Sequence, residues 1–349
     1  TYHLSLITYH LSLITYHLSL ITHHLSLITH HSSLITHHPS PMYIHSVCSI
    51  SRLPLIKTDI PLPELSAELP PDVQEPHYAD YIPAMQSRRM SKGLKMGLTA
   101  ALDCLRSSGV DAASLKAIEV GTSYGLLKDS ETFLDNMITH QETALTPTAF
   151  IQSTHNTVAG AIALSLKSHV HNMTFTQRGH SFESAVKDTE LILATTQGND
   201  GYVLLGGVEE KNDTLEWLLK GDERASLEMG EGAAFLLLGN EAAGALCQLK
   251  ATTIFKTNNQ DTASAHINQV MAGYPCQEGR ECPVIIWNSL NPGVLNYTYK
   301  ITDISGTVAY NPTGAALALV IGAKTCQEQQ CPVIVVNQFK EYWSVFELV

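Results

Sequence analysis

Charge is scarce in this sequence. Asp, Glu, Lys and Arg make up only 15% of it, against about a quarter in an ordinary domain. The balance is acidic, with a net charge of −12. No basic stripe is present to neutralise phosphates, which excludes nucleic acid as a partner and disfavours an anionic membrane surface. Long apolar runs are missing too. No stretch of 18 uncharged apolar residues follows residue 50, so no membrane span is expected. A regular cysteine framework is also absent. The seven cysteines, at 48, 104, 247, 276, 282, 326 and 331, are odd in number and irregular in spacing. That excludes a disulfide scaffold and points to reduced thiols in a cytoplasmic protein.

What is there suffices for a large core. Hydrophobic residues are 44% of 349, which suits one large domain or two fused halves. One cysteine pattern repeats: "CQEGRECPVII" from Cys276 and "CQEQQCPVIVV" from Cys326. Four cysteines in two pairs offer a zinc site, but only the second pair has a spacing common in structural sites. The simpler reading, preferred here, is two loops leading into two buried strands, and no metal or cofactor is expected.

Residues 1–41 are a different material. "TYHLSLI" repeats in register and then decays, and nine of the 17 histidines fall in this stretch. The period of seven is not a coiled-coil seam, which needs flanking charges; the first charged residue is Arg52. A histidine-rich metal-binding tract is one reading. The preferred one is translated tandem-repeat DNA ahead of a start at Met42, disordered or irregular and not packed on the body. The stretch also lacks the basic start and cleavage site of a signal peptide.

From Met42 the text alternates between strand and helix. Helical spacing predicts helices over 85–109, 153–169 and 181–198, with strands over 115–123, 172–177, 200–210 and 230–240. "CPVIIWNS", "NPTGAALALVIGAK" and "CPVIVVNQF" then read as strand, helix, strand. The strands are apolar on both faces, which predicts an α/β fold with buried sheets and covering helices.

Five segments in order carry a resemblance: "VGTSYGLL" (120–127), "FIQSTHNTVAGAIAL" (150–164), "DGYVLLGGVEE" (200–210), "GEGAAFLLL" (230–238) and "YNPTGAALALVIGA" (310–323). They resemble the β-ketoacyl synthases of the thiolase superfamily. The resemblance runs from about Met42 to the end. It implies a layered α/β/α/β/α sandwich of two related halves, 42–240 and a shortened 241–349.

It also implies where the nucleophile would stand. In such synthases a cysteine caps the buried helix before the double-glycine strand. Counting back from Gly206 and Gly207 puts that position at Ser181, flanked by His180 and Phe182. A helix N-terminus favours a developing anion and helps a thiol; a serine hydroxyl needs an adjacent general base. The family also uses two histidines in its second half. The matching positions here are Asn288 or Ser289 and Thr307, and no histidine follows His266. His155 precedes the site and reads as a core or interface residue. Asn288 and Asn291 offer amides to an oxyanion.

The departure from the family pattern resembles its chain-length-factor partners in fatty acid, polyketide and aryl polyene synthesis. "TQRGHSFESA" is similar to the nucleophile region of partner-type proteins in bacterial pigment pathways. The implied role is a subunit inactive in condensation on its own, shaping the acyl pocket of a catalytic ketosynthase in a heterodimer. Acyl carrier protein would be met through the complex, or at a small basic site near Arg88 and Arg89. The alternative is an acyltransferase or hydrolase with Ser181 as nucleophile. "NMTFTQ" (172–177) is the expected seam strand.

Overall fold

Val203 and Leu205 face one core, while Leu204 and Val208 face another. That is why the run Tyr202–Glu209 shows no polar alternation: both faces of its strand are covered. The same holds for Ala234, Leu236 and Leu238 against Phe235 and Leu237, and for Val333 and Val335 against Ile334 and Val336. These relationships come from a computed structural model of the chain. It describes residues 41–349 apart from 66–68, 144–146, 197–200, 221–228, 276–282, 290–298 and 310. The repetitive tail, Cys276, Cys282 and Asn291 lie outside the described residues.

The strands are β1 (Met42–Ile50), β2 (Ile56–Lys57), β3 (Leu115–Gly121), β4 (His171–Phe175), β5 (Tyr202–Glu209), β6 (Gly232–Gly239), β7 (Cys247–Lys256), β8 (Val284–Asn288), β9 (Lys300–Asp303), β10 (Val333–Phe339) and β11 (Tyr342–Leu348). The main helices are α1 (Lys92–Ser108), α2 (Thr157–Leu166), α3 (Ser181–Thr195), α4 (Gln260–Met271) and α5 (Gly314–Gln329). The sheet order is β4-β3-β5-β6-β1-β7-β11-β10-β8-β9, with β2 paired to β1. Read outward from the β1–β7 junction, the two sides match. β1-β6-β5-β3-β4 and β7-β11-β10-β8-β9 share one pattern, with two antiparallel pairings followed by two parallel ones. The two related halves are therefore visible in the pairing itself.

The layers follow from the cores. α1 and α2 pack on one face of the first half-sheet, with Leu94, Leu98, Val158 and Ile162 against Ile118 and Leu204. α4 covers the outer face of the second through Ala263, Ile267 and Met271. α3 and α5 lie between the half-sheets, where Phe182, Val186, Leu319 and Val320 share a core with strands of both. The result is the α/β/α/β/α sandwich.

Differences from expectation are local. The helix expected over 85–109 is two, Ala84–Ser87 and α1, because Ser91 is extended at φ −62°, ψ 167°. α2 begins at Thr157 rather than 153. The Ser153 and Thr154 hydroxyls bond back to the carbonyls of Phe150 and Ile151 instead of capping forward. Cys326 and Cys331 are buried, and the Cys326 thiol neighbours that of Cys247. Among the described residues, no helix is long and apolar enough to cross a membrane.

Candidate functional site

The site begins where β3 and β4 end and α3 starts. Gly121 closes β3, and a Cβ there would stand 2.5 Å from both the Cα and the N of Phe182. Only a glycine lets the start of α3 come this close. Gly207, at the matching end of β5, would place a Cβ 2.7 Å from the Cβ of Ala316 on α5. The glycines of "VGTS" and "LLGG" thus admit the two central helices to the sheet.

Ser181 is fully buried at the first position of α3. Its hydroxyl donates to the Arg178 carbonyl at 2.7 Å and accepts from the Gln177 amide at 2.9 Å. Ser123 Oγ lies 3.3 Å away and is itself hydrogen-bonded to the Arg178 carbonyl. A hydroxyl has one proton to give, and here a backbone carbonyl takes it. No imidazole stands among its hydrogen-bond partners in the described residues.

His180 turns the other way. Its Nε2 lies 3.2 Å from the Trp343 carbonyl, and its ring meets Tyr342 edge-on at 4.8 Å. Burial pulls this imidazole below its ordinary value and favours the neutral form. Phe182 is core, packed against Phe346 at 6.4 Å. His155 is exposed, with its ring laid on Gly125. Of the two expectations, core or interface, the core position is corrected: His155 lies on the loop ahead of α2, outside the apolar stripe of Val158 and Ile162. His266 stacks on Phe255 at 4.4 Å.

The second half contributes amides and hydroxyls. Asn288, at the end of β8, donates to Asn337 Oδ1 at 2.6 Å. Its Nδ2 would also lie 3.3 Å from a Cβ on Gly314, so it stands at the start of α5. Ser289 is hydrogen-bonded to Gln338. Thr307, in the short Ser305–Val308 helix, lines a cavity of about 10 Å³ with Gly207, Thr313 and Ala316. That volume suits a single water and not an acyl chain.

Two buried carboxyls in this region, Glu183 and Glu209, take part in contacts that their sequence positions do not reveal. Glu183 is fully buried, and its Oε1 accepts from Ser344 at 2.7 Å and from Asn337 at 3.4 Å, while Oε2 has no hydrogen-bond partner among the described residues. Burial raises this acid to about 7. It joins Asn337 and Asn288 into one polar chain from α3 to β8. Glu209, the first acid after "GGV", receives the amides of Ser123 and Tyr124 and so braces the turn beside Ser181. Burial raises it to about 8. The signal for Glu209 was its place at the end of an otherwise apolar strand. Glu183 carried none, since a first-turn acid is ordinarily a solvated dipole partner.

Residues 63–271 match the model of the beta-ketoacyl synthase N-terminal domain. No curated protein sequence matches the chain. Among solved structures, a type II polyketide synthase acyl-carrier protein in complex with its ketosynthase bound to the hexaketide (AntDE:AntF) aligns at TM-score 0.71 and 13% identity, over 89% of this chain and 99% of that one. The ishigamide ketosynthase/chain length factor aligns at 0.68 and 14%, with the same coverages of 89% and 99%. The ketosynthase ApeO in complex with its chain length factor ApeC from Xenorhabdus doucetiae aligns at 0.53 and 16%, over 88% and 99%. At these identities the likeness is one of fold.

Proposed function

The chain belongs to the beta-ketoacyl synthase family, and on that premise we propose that it is a partner subunit without condensing activity of its own. It would pair with a catalytic ketosynthase in fatty acid, polyketide or aryl polyene synthesis and help to shape the space for the growing acyl chain. The observation that carries this reading is the state of the Ser181 hydroxyl. Its proton goes to a backbone carbonyl and its acceptor side to a backbone amide. A serine nucleophile needs a general base at hydrogen-bond distance, and the neighbouring His180 is spent on Trp343 and Tyr342. The resemblance matches the family's two histidines to Asn288 or Ser289 and to Thr307, none of which accepts a proton as an imidazole does. Two of the similar structures are described as ketosynthase with chain length factor, which supports the same pairing here. On this reading, acyl carrier protein docks mainly on the catalytic partner, because an acidic carrier is repelled by a chain of charge −12.

The test is Ser181→Ala in the pair reconstituted with its cysteine-bearing synthase and labelled malonyl carrier protein. Product yield within about twofold of the parent supports the partner role, since loss of a true nucleophile costs several orders of magnitude. Near-total loss with the complex intact would return the nucleophile role to Ser181 and favour the acyltransferase or hydrolase reading.

A further inference from the structure

Glu119, His171 and Asp188 come together from three elements, at the sheet edge away from Ser181. Glu119 lies on β3, one pleat before Gly121 and on the same face, turned toward α3. Asp188 lies on α3, about two turns beyond Ser181. His171 opens β4, paired with Ala117, on the face that Glu119 shares. Their ligand atoms all lie within 4.8 Å of one another.

Glu119 is the unusual member. Its side chain is 0% exposed, yet among the described residues neither carboxylate oxygen has a partner at ordinary hydrogen-bond distance, and the group it faces is another acid, Asp188. A buried carboxylate is expected to be paired. His171 Nε2 stands 3.5 Å from Glu119 Oε1 and 3.6 Å from Asp188 Oδ2. A hydrogen bond between such groups is about 2.9 Å. Ligands around a tetrahedral ion with bonds of about 2.1 Å stand about 3.4 Å apart. The two distances from His171 are long for direct bonding and close to that spacing, with the third pair within 4.8 Å. Glu119 and Asp188 also face each other here, and a dication would hold both of them as carboxylates. His171 is half-exposed and Asp188 partly so, which gives an ion entry and leaves a position for water.

We propose that Glu119, His171 and Asp188 bind one divalent transition-metal ion of the zinc class, with water completing the coordination. Two carboxylates and an imidazole suit zinc; an imidazole disfavours magnesium and calcium, and the lack of thiolate disfavours copper(I). Such an ion clamps the edge strand β4 to β3 and α3. The sequence reading anticipated no metal, because these residues are far apart in the chain and follow no ligand spacing.

The test uses the full chain, stripped with chelator and titrated with zinc chloride, beside its full-length His171→Ala/Asp188→Asn variant. The histidines of residues 1–41 are common to both proteins, so the difference reports this site. The parent should bind one more zinc equivalent than the variant and gain a rise in melting temperature that the variant lacks. Cobalt(II) should give the intense visible bands of a four-coordinate site in the parent-minus-variant difference spectrum. Equal stoichiometry and equal thermal shifts in the two proteins overturn the proposal. Should the double variant fold poorly without metal, Glu119→Gln serves instead. It keeps the side-chain shape and should lose the extra equivalent; keeping it overturns the site.

Discussion

The Ser344 hydroxyl donates a 2.7 Å hydrogen bond to Glu183 Oε1, and this bond joins the two halves of the molecule through their buried interior. One partner lies on the central helix α3 and the other on β11, 161 residues later. Because the carboxyl is raised from an ordinary 4.5 to about 7, the protonated form is the one the fold prefers. Its contribution is present in full below pH 4.5 and is lost as pH rises through 7. The shift corresponds to roughly 3 kcal/mol. Glu183→Gln should therefore change stability little at pH 4.5 and exceed the parent by about 1–3 kcal/mol at pH 8.5. Urea unfolding of both proteins at the two pH values checks this; a parent–variant difference that is independent of pH refutes it.

Gly121 and Gly160 should respond to alanine with opposite signs. At Gly121 the new Cβ meets helix backbone at 2.5 Å, and backbone cannot rotate aside, so a loss of about 3 kcal/mol or more is expected. At Gly160, on the exposed side of α2, nothing lies within 4 Å. Alanine there should add about 0.5–1 kcal/mol through helix propensity. Thermal melts of the two single variants give the comparison directly.

The strand β4 ends the sheet and exposes Met173 at 42%. An unprotected apolar edge invites pairing, and lysine is the common guard against it. Met173→Lys should weaken association with the partner subunit, or self-association of the chain alone, while moving the melting temperature by no more than about 2 °C. Sedimentation velocity measures the first and a thermal melt the second. An unchanged sedimentation profile removes β4 as the seam.

Removing residues 1–41 should leave the melting temperature within about 2 °C of the full chain. Removing five more should abolish folding, because β1 sits between β6 and β7 and Ile44 is completely buried. A large loss from the first truncation alone would show that the tail stabilises the body.

Local chemistry was legible in the sequence. Continuous apolar runs such as "YVLLGGV" and "GAAFLLLG" announced strands covered on both faces, because burial on two sides removes the need for alternation. The alternation of strands and helices pointed to buried sheets with covering helices, and the resemblance carried by five ordered segments implied the layered sandwich. Ser181 could be placed at the start of a buried helix, since helix starts are written within a few residues. The tertiary structure decided what that hydroxyl is bonded to, that His180 faces Tyr342, and that His155 lies on the surface. It alone linked Glu183 to Asn288 through Asn337, and Glu119 to His171 and Asp188. Those relationships join residues tens to more than a hundred positions apart, across strands whose spatial order is not their chain order. Sequence periodicity records which face of an element is apolar, but the pairing of elements decides which polar groups meet inside.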